Sequence, residues 1–202
     1  MKRPNGIATY RLREKASVFL AELHPVSDAA AREALLASAR KTHHDATHRC
    51  TAWREGAPVS AEGCNDDGEP PGTAGQPMLK VLEGHGITDA LVICARWYGG
   101  TKLGKGGLAR AYADAALGAV GEAEAQGLFD DIRIMAHGTI EAMQELAHMP
   151  FSLLASFQDA EITGREFDGA WAKIHFSLPV EDCAAFDSAW AEKSRGGKVI
   201  WG

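Results

Sequence analysis

One run, "ALVICARWYGGTKLGKGGLARAYADAALGAV" at residues 90 to 120, constrains the fold more than any other. It opens with an unbroken apolar stretch, Ala90 to Ala95, which reads as a buried strand. An alanine-rich segment from Leu108 to Ala125 then reads as a helix, with a glycine loop between the two. Strand, loop and helix in that order call for a sheet with a helix packed on it, as in a mixed α and β domain.

The glycine loop nearly matches a phosphate-binding P-loop. Gly99, four residues, Gly104 and Lys105 fit, but Gly106 stands where a Ser or Thr hydroxyl should hold magnesium. The neighbouring strand ends in Arg96 and aromatics, without the second metal-holding Asp, so nucleotide hydrolysis of the P-loop kind is not expected. Two readings stay open. The glycines supply positive φ angles and close packing, or the helix start, with Arg96, Lys102, Lys105 and Arg110 nearby, holds an anion.

Upstream, "NDDGEPPGTAGQP" places Asp66, Asp67 and Glu69 just before Gly72, Thr73 and Gly75. The carboxylate spacing departs from the EF-hand pattern, and Thr73 reads as a turn or helix-capping hydroxyl. In "HHDATHRC", His44 and His48 are four residues apart, as zinc ligands on one helix face would be. They fall at an expected helix end, however, with no third ligand evident. Cys50 near His48 suggests a nucleophile and base, yet no oxyanion hole is identifiable. Neither a metal nor a cofactor is expected.

The rest of the chain reads as a series of short elements. Two strands within "GIATYRLREKASVFLAELHPV", joined around Arg13 to Lys15, precede a helix capped by Ser27 or Asp28, then a strand at 49–55. A long loop from Gly56 leads to a helix beginning near Pro77 and ending at Gly86. From about 126 the order is strand "LFDDIRIMAH", helix "TIEAMQELAHM", strands "SLLASFQDAEI" and "GAWAKIHFSLP", helix "VEDCAAFDSAWAEKS" and strand "GKVIWG". That βαββαβ order is ferredoxin-like. An α+β chain is therefore expected, with domains at 1–125 and 126–202.

Apolar stretches are too short for a transmembrane helix and the N-terminus lacks a signal-peptide core, so a cytoplasmic protein without membrane contact is expected. The four cysteines form no C-x-x-C pair and read as reduced thiols. Residues 1–120 carry 15 Lys and Arg against 13 Asp and Glu, net +2, whereas 121–202 carry 6 against 14, net −8. The first part is the better place for a polyanion.

"REKASVF", "HHDATHRC", "DDGEPPGTAG" and "ARWYGGTKLGKGGLARAY" together resemble the IMPACT family in its bacterial two-domain form. The match covers about residues 6 to 120. The family pattern falls on His43, Asp45, His48, Cys50, Asp66, Asp67, Gly68, Glu69, Pro70, Gly72, Thr73, Gly75, Arg96, Tyr98, Gly99, Gly100, Leu103, Gly104, Gly106 and Gly107, and leaves Lys105 open. The chain departs at Val18, where arginine is common, and at His44, where proline is usual. The resemblance implies an N-terminal α/β domain of the ribosomal-protein and elongation-factor type with a left-handed βαβ unit. To this is joined a domain like a late domain of elongation factor G.

It also implies work around translation without established enzymatic activity. The expected function is a non-enzymatic binding or regulatory protein whose partner is RNA, the ribosome or a translation factor. The expected site joins Asp66, Asp67, Glu69 and Thr73 to Arg96, Tyr98, Gly99, Gly100, Lys102, Gly104, Gly106 and Arg110, with His43, Asp45, His48 and Cys50 as secondary candidates. The alternative is an enzyme on a phosphorylated or nucleotide substrate that uses the Asp-Asp-Gly-Glu and glycine loops.

Overall fold

The computed structural model describes residues 1–194 and 198–202 and divides into two units, Met1–Ile132 and Arg133–Gly202. In the first, β2 (Ala8–Glu14), β3 (Ser17–Pro25), β4 (His48–Glu55), β5 (Ala61–Asn65) and β6 (Ala90–Trp97) form one sheet in the order β2-β3-β6-β4-β5. All its pairs are antiparallel, so β3 and β4, on either side of β6, run parallel to each other. A short pair, β1 (Lys2–Pro4) with β7 (Phe129–Asp131), lies apart from that sheet.

β6 is apolar without a break because both its faces are covered. Ala90, Val92 and Cys94 join the main core, under α2 (Gly75–Gly84) and α3 (Gly104–Ala125). Leu91 and Ile93 face the other way, toward Ala39 of α1 (Ala29–Thr42). α1 starts where Asp28 accepts the Ala31 N–H at 2.8 Å, one of the two caps expected.

The long loop expected from Gly56 is interrupted by β5, whose backbone groups pair with β4 from Thr51↔Asn65 to Glu55↔Ala61. α2 starts at Gly75, two residues before Pro77, because the Asp66 carboxylate takes up the amides of Ala74 and Gly75. α3 also starts early. The "GKGG" half of the glycine loop is its first turn.

The second unit contains β8 (Met135–Met143), α4 (His148–Leu154), β9 (Glu161–Asp168), β10 (Trp171–Pro179), α5 (Cys183–Lys193) and β11 (Val199–Trp201). The strand order β11-β8-β10-β9 with βαββαβ connectivity is ferredoxin-like. Several elements sit further along the chain than the sequence suggests. "LFDDIRIMAH" splits, its first part giving β7, which pairs with β1 in the first unit, and its last part entering β8. "TIEAMQELAHM" has helix-favouring composition, yet Thr139–Met143 is strand, because Gly138, Ile140 and Ala142 alternate inward and pair with β10. "SLLASFQDAEI" is mostly the end of α4 and its exit, with β9 beginning only at Glu161. The C-terminal strand expected from Gly197 has that first residue outside the described ones. No helix of the described residues is long and apolar enough to cross a membrane.

Candidate functional site

Part of the expected set, His48, Glu69, Arg96, Tyr98, Lys102 and Gly104, comes together where β6 hands over to α3. Gly99 crosses the β2–β3 turn so closely that a Cβ on it would lie 1.8 Å from the Ala16 carbonyl oxygen. Gly100 (φ 88°) and Gly104 (φ 74°) then take left-handed conformations that turn the chain into α3. This 22-residue helix has no side-chain cap and no acidic residue in its first turn. Its first amides present the positive end of the helix dipole, with Lys102 and Lys105 beside them, both exposed.

A cleft of about 470 Å³ lies against this helix start. His48, Glu69, Arg96, Tyr98, Lys102 and Gly104 from the expected set line it. Thr47, Pro70, Leu103, Lys105 and Leu108 complete the wall. Tyr98 is 43% exposed, so its ring is open to stacking.

Beneath lies a buried polar network. Arg96 Nη1 donates to Glu69 Oε1 at 2.5 Å, with the two side chains only 5% and 3% exposed. Tyr112 Oη donates to the same oxygen at 2.8 Å, and Arg96 Nη2 to Ser17 Oγ at 3.2 Å. The guanidinium lies between aromatic rings, 5.4 Å from the Phe19 centroid and 5.3 Å from that of Tyr98. Among the described residues the buried Arg96 Nε has no hydrogen-bond partner. Since Arg96 is neutralised by Glu69, it braces Tyr98 rather than providing the free cation that the sequence suggests. Burial raises the Tyr112 pKa, which keeps its hydroxyl a proton donor.

His48 is fixed from behind. Its Nδ1 donates to the Asp67 carbonyl at 2.8 Å, since a carbonyl only accepts, and its Nε2 lies 3.9 Å from Glu69 Oε1. Asp66 and Asp67 are committed to the loop itself. Asp66 Oδ1 accepts from the Ala74 and Gly75 amides at 3.0 and 2.8 Å, and Oδ2 from the Gly72 amide at 2.7 Å. Asp67, at φ 41°, accepts the Arg49 amide at 2.7 Å. Thr73 Oγ1 closes a turn onto the Pro70 carbonyl at 2.7 Å.

The remaining candidates are dispersed. Arg110 is exposed but does not line the cleft, and Gly106 lies in the first turn of α3 with open space where a Cβ would be. His43 is buried, 3.1 Å from Glu22 and edge-on to Trp97. Asp45 is exposed. α1 stops at Thr42, so His44 and His48 share no helix face. Cys50 is buried, its thiol pushed up to about 12, chiefly by burial, which keeps it protonated and unreactive.

Two participants carry weak sequence signals. Lys105 looks incidental once the P-loop pattern fails, and Tyr112 reads as one more core residue of an alanine-rich helix. A lone phenol among small apolar side chains is the only hint that a buried acceptor faces it.

Fold and site define a two-domain α+β protein with an open cleft at the start of its 22-residue helix. The sequence profile of the Impact N-terminal domain matches residues 15–120. The chain is 34% identical over 184 residues to IMPACT family member YigZ of Escherichia coli, covering 90% of this chain and 87% of that one. It is 30% identical over 204 residues to an IMPACT family member of Haemophilus influenzae, covering 98% and 94%. A solved crystal structure of a hypothetical protein shares 30% identity with a TM-score of 0.60, over 99% of this chain and 95% of the other. The chain belongs to the IMPACT family.

Proposed function

We propose that the protein acts in translation as a binding protein, and that its cleft receives a phosphate of RNA with an unstacked base laid on Tyr98. The carrying observation is the start of α3, with its uncapped amides and first turn free of carboxylates, where Lys102 and Lys105 border a cleft holding a half-exposed aromatic ring. Backbone amides and lysines match a phosphate, and an exposed ring matches any base. The setting in translation rests on the family, whose architecture resembles ribosomal-protein and elongation-factor domains.

An enzyme built on the Asp-Asp-Gly-Glu loop is less well supported. The Asp66 oxygens already serve three backbone amides, Asp67 serves Arg49, and Glu69 is buried against Arg96.

Labelled single-stranded RNA and purified ribosomes, titrated at about 50 mM salt where phosphate contacts are strong, test the reading. Binding that weakens roughly tenfold or more in Lys102→Ala/Lys105→Ala is expected, at about 1 kcal/mol or somewhat less for each lysine contact. No binding to either probe, or binding indifferent to both lysines, would remove it.

A further inference from the structure

In the second unit, α4 and α5 pack on one face of the sheet. Ile140, Ala142 and Phe176 point toward Leu153 and Leu154 of α4 and Phe186 and Trp190 of α5. On the opposite face Ser177 is buried, but the end formed by Glu141, Met143, Glu166, Asp168, Trp171 and Lys173 is exposed, and register fixes how these side chains stand. Met143, Trp171 and Asp168 form one cross-strand row, and Glu141, Lys173 and Glu166 the next.

We propose that this open face docks a lysine- and arginine-rich segment of a protein partner. Three carboxylates, Glu141, Glu166 and Asp168, surround a depression of about 360 Å³ against the single ammonium of Lys173. That ammonium is already held by Glu141 at 3.0 Å. Among the described residues Glu166 has an ion pair with His175, at 3.4 Å, and Asp168 has none, so both share the Lys173 ammonium only at longer range. The depression is therefore short of positive charge.

Its end wall supplies the second half of a guanidinium site. Trp171 is 51% exposed and Met143, opposite it, 54%. An indole face takes an arginine by cation–π stacking while carboxylates beside it accept the guanidinium hydrogens. The wider surroundings favour the same sign, since residues 133–202 carry 6 Lys and Arg against 10 Asp and Glu, net −4. RNA is disfavoured here for the reason that a basic peptide is favoured: phosphate would meet two underpaired carboxylates.

The test uses the full chain, a labelled Arg-Gly repeat peptide and its Glu-Gly counterpart, followed by anisotropy and amide chemical-shift mapping. The expected result is binding of the Arg-Gly peptide alone, with shifts at the β8–β10–β9 face. Affinity should fall about tenfold or more in Glu166→Gln/Asp168→Asn and in Trp171→Ala, and stay unchanged in Lys102→Ala/Lys105→Ala. The substituted side chains are exposed, so circular dichroism should report intact folding. Absence of binding, equal binding of both peptides, affinity unmoved by these substitutions, or RNA-induced shifts on this face would each overturn the proposal.

Discussion

Gly99 and Gly106 belong to one motif, yet a methyl group should affect them in opposite ways. At Gly99 the new Cβ would lie 1.8 Å from a carbonyl oxygen of the β2–β3 turn, so the backbone must move. Gly99→Ala should cost about 1–3 kcal/mol in urea unfolding. At Gly106, where open space and an ordinary helical backbone meet the Cβ, alanine should stabilise by roughly 0.5 kcal/mol. Glu69 has a different vulnerability. Removing it strands the Arg96 guanidinium, so Glu69→Ala should cost about 3–5 kcal/mol, and adding Arg96→Met should recover part of that loss. Nothing in "GEPPG" announces that the carboxylate is buried, since burial depends on Tyr112, forty-three residues away.

Between elements, side chains tie helix ends to the sheet. Asp66, from the loop after β5, gathers three amides at the start of α2, so Asp66→Ala should cost about 2 kcal/mol and speed hydrogen exchange at residues 72–75. On the other face, Glu22 of β3 reaches His43, just past the end of α1. Its carboxyl is held below the usual 4.5, first by the hydrogen bond from His24 and then by His43, against the opposing effect of burial. A lowered native pKa means stability that is present above 4.5 and lost as pH falls through the native value. The melting temperature of the protein should therefore exceed that of Glu22→Gln near neutrality, and the gap should shrink below pH 4.5.

Elements with one strong local signal were legible in sequence: the apolar run of β6, the Asp28 cap of α1, and the alanine-rich body of α3. Where propensity and pairing disagree, sequence misleads. Thr139–Met143 is composed like a helix and held as a strand by β10, and β5 lies hidden in a Gly- and Pro-rich stretch because its register comes from β4. The candidate cleft was half legible. Glycines and lysines showed a helix start, but the division between Glu69 as buried brace and Asp66 as helix cap is tertiary.

At the scale of the whole molecule, the charge argument changes with the boundary. Cut at 120, the first part is net +2; as the structure divides it, Met1–Ile132 holds 15 Lys and Arg against 17 Asp and Glu, net −2. Glu122, Glu124, Asp130 and Asp131 belong to this unit, through the end of α3 and through β7. A unit of that charge has no broad field to draw in RNA, so any phosphate contact must be local. With Lys102 and Lys105 as the cations beside the α3 start, about two phosphates are neutralised, giving a slope of log K against log salt near −1.4 for single-stranded RNA. Replacing both lysines should bring the slope close to zero, while replacing Arg110, outside the cleft, should leave it unchanged. A steep slope, near −4 or beyond, would mean that some six phosphates are engaged across a wide surface. The cleft at α3 would then not be where RNA is held.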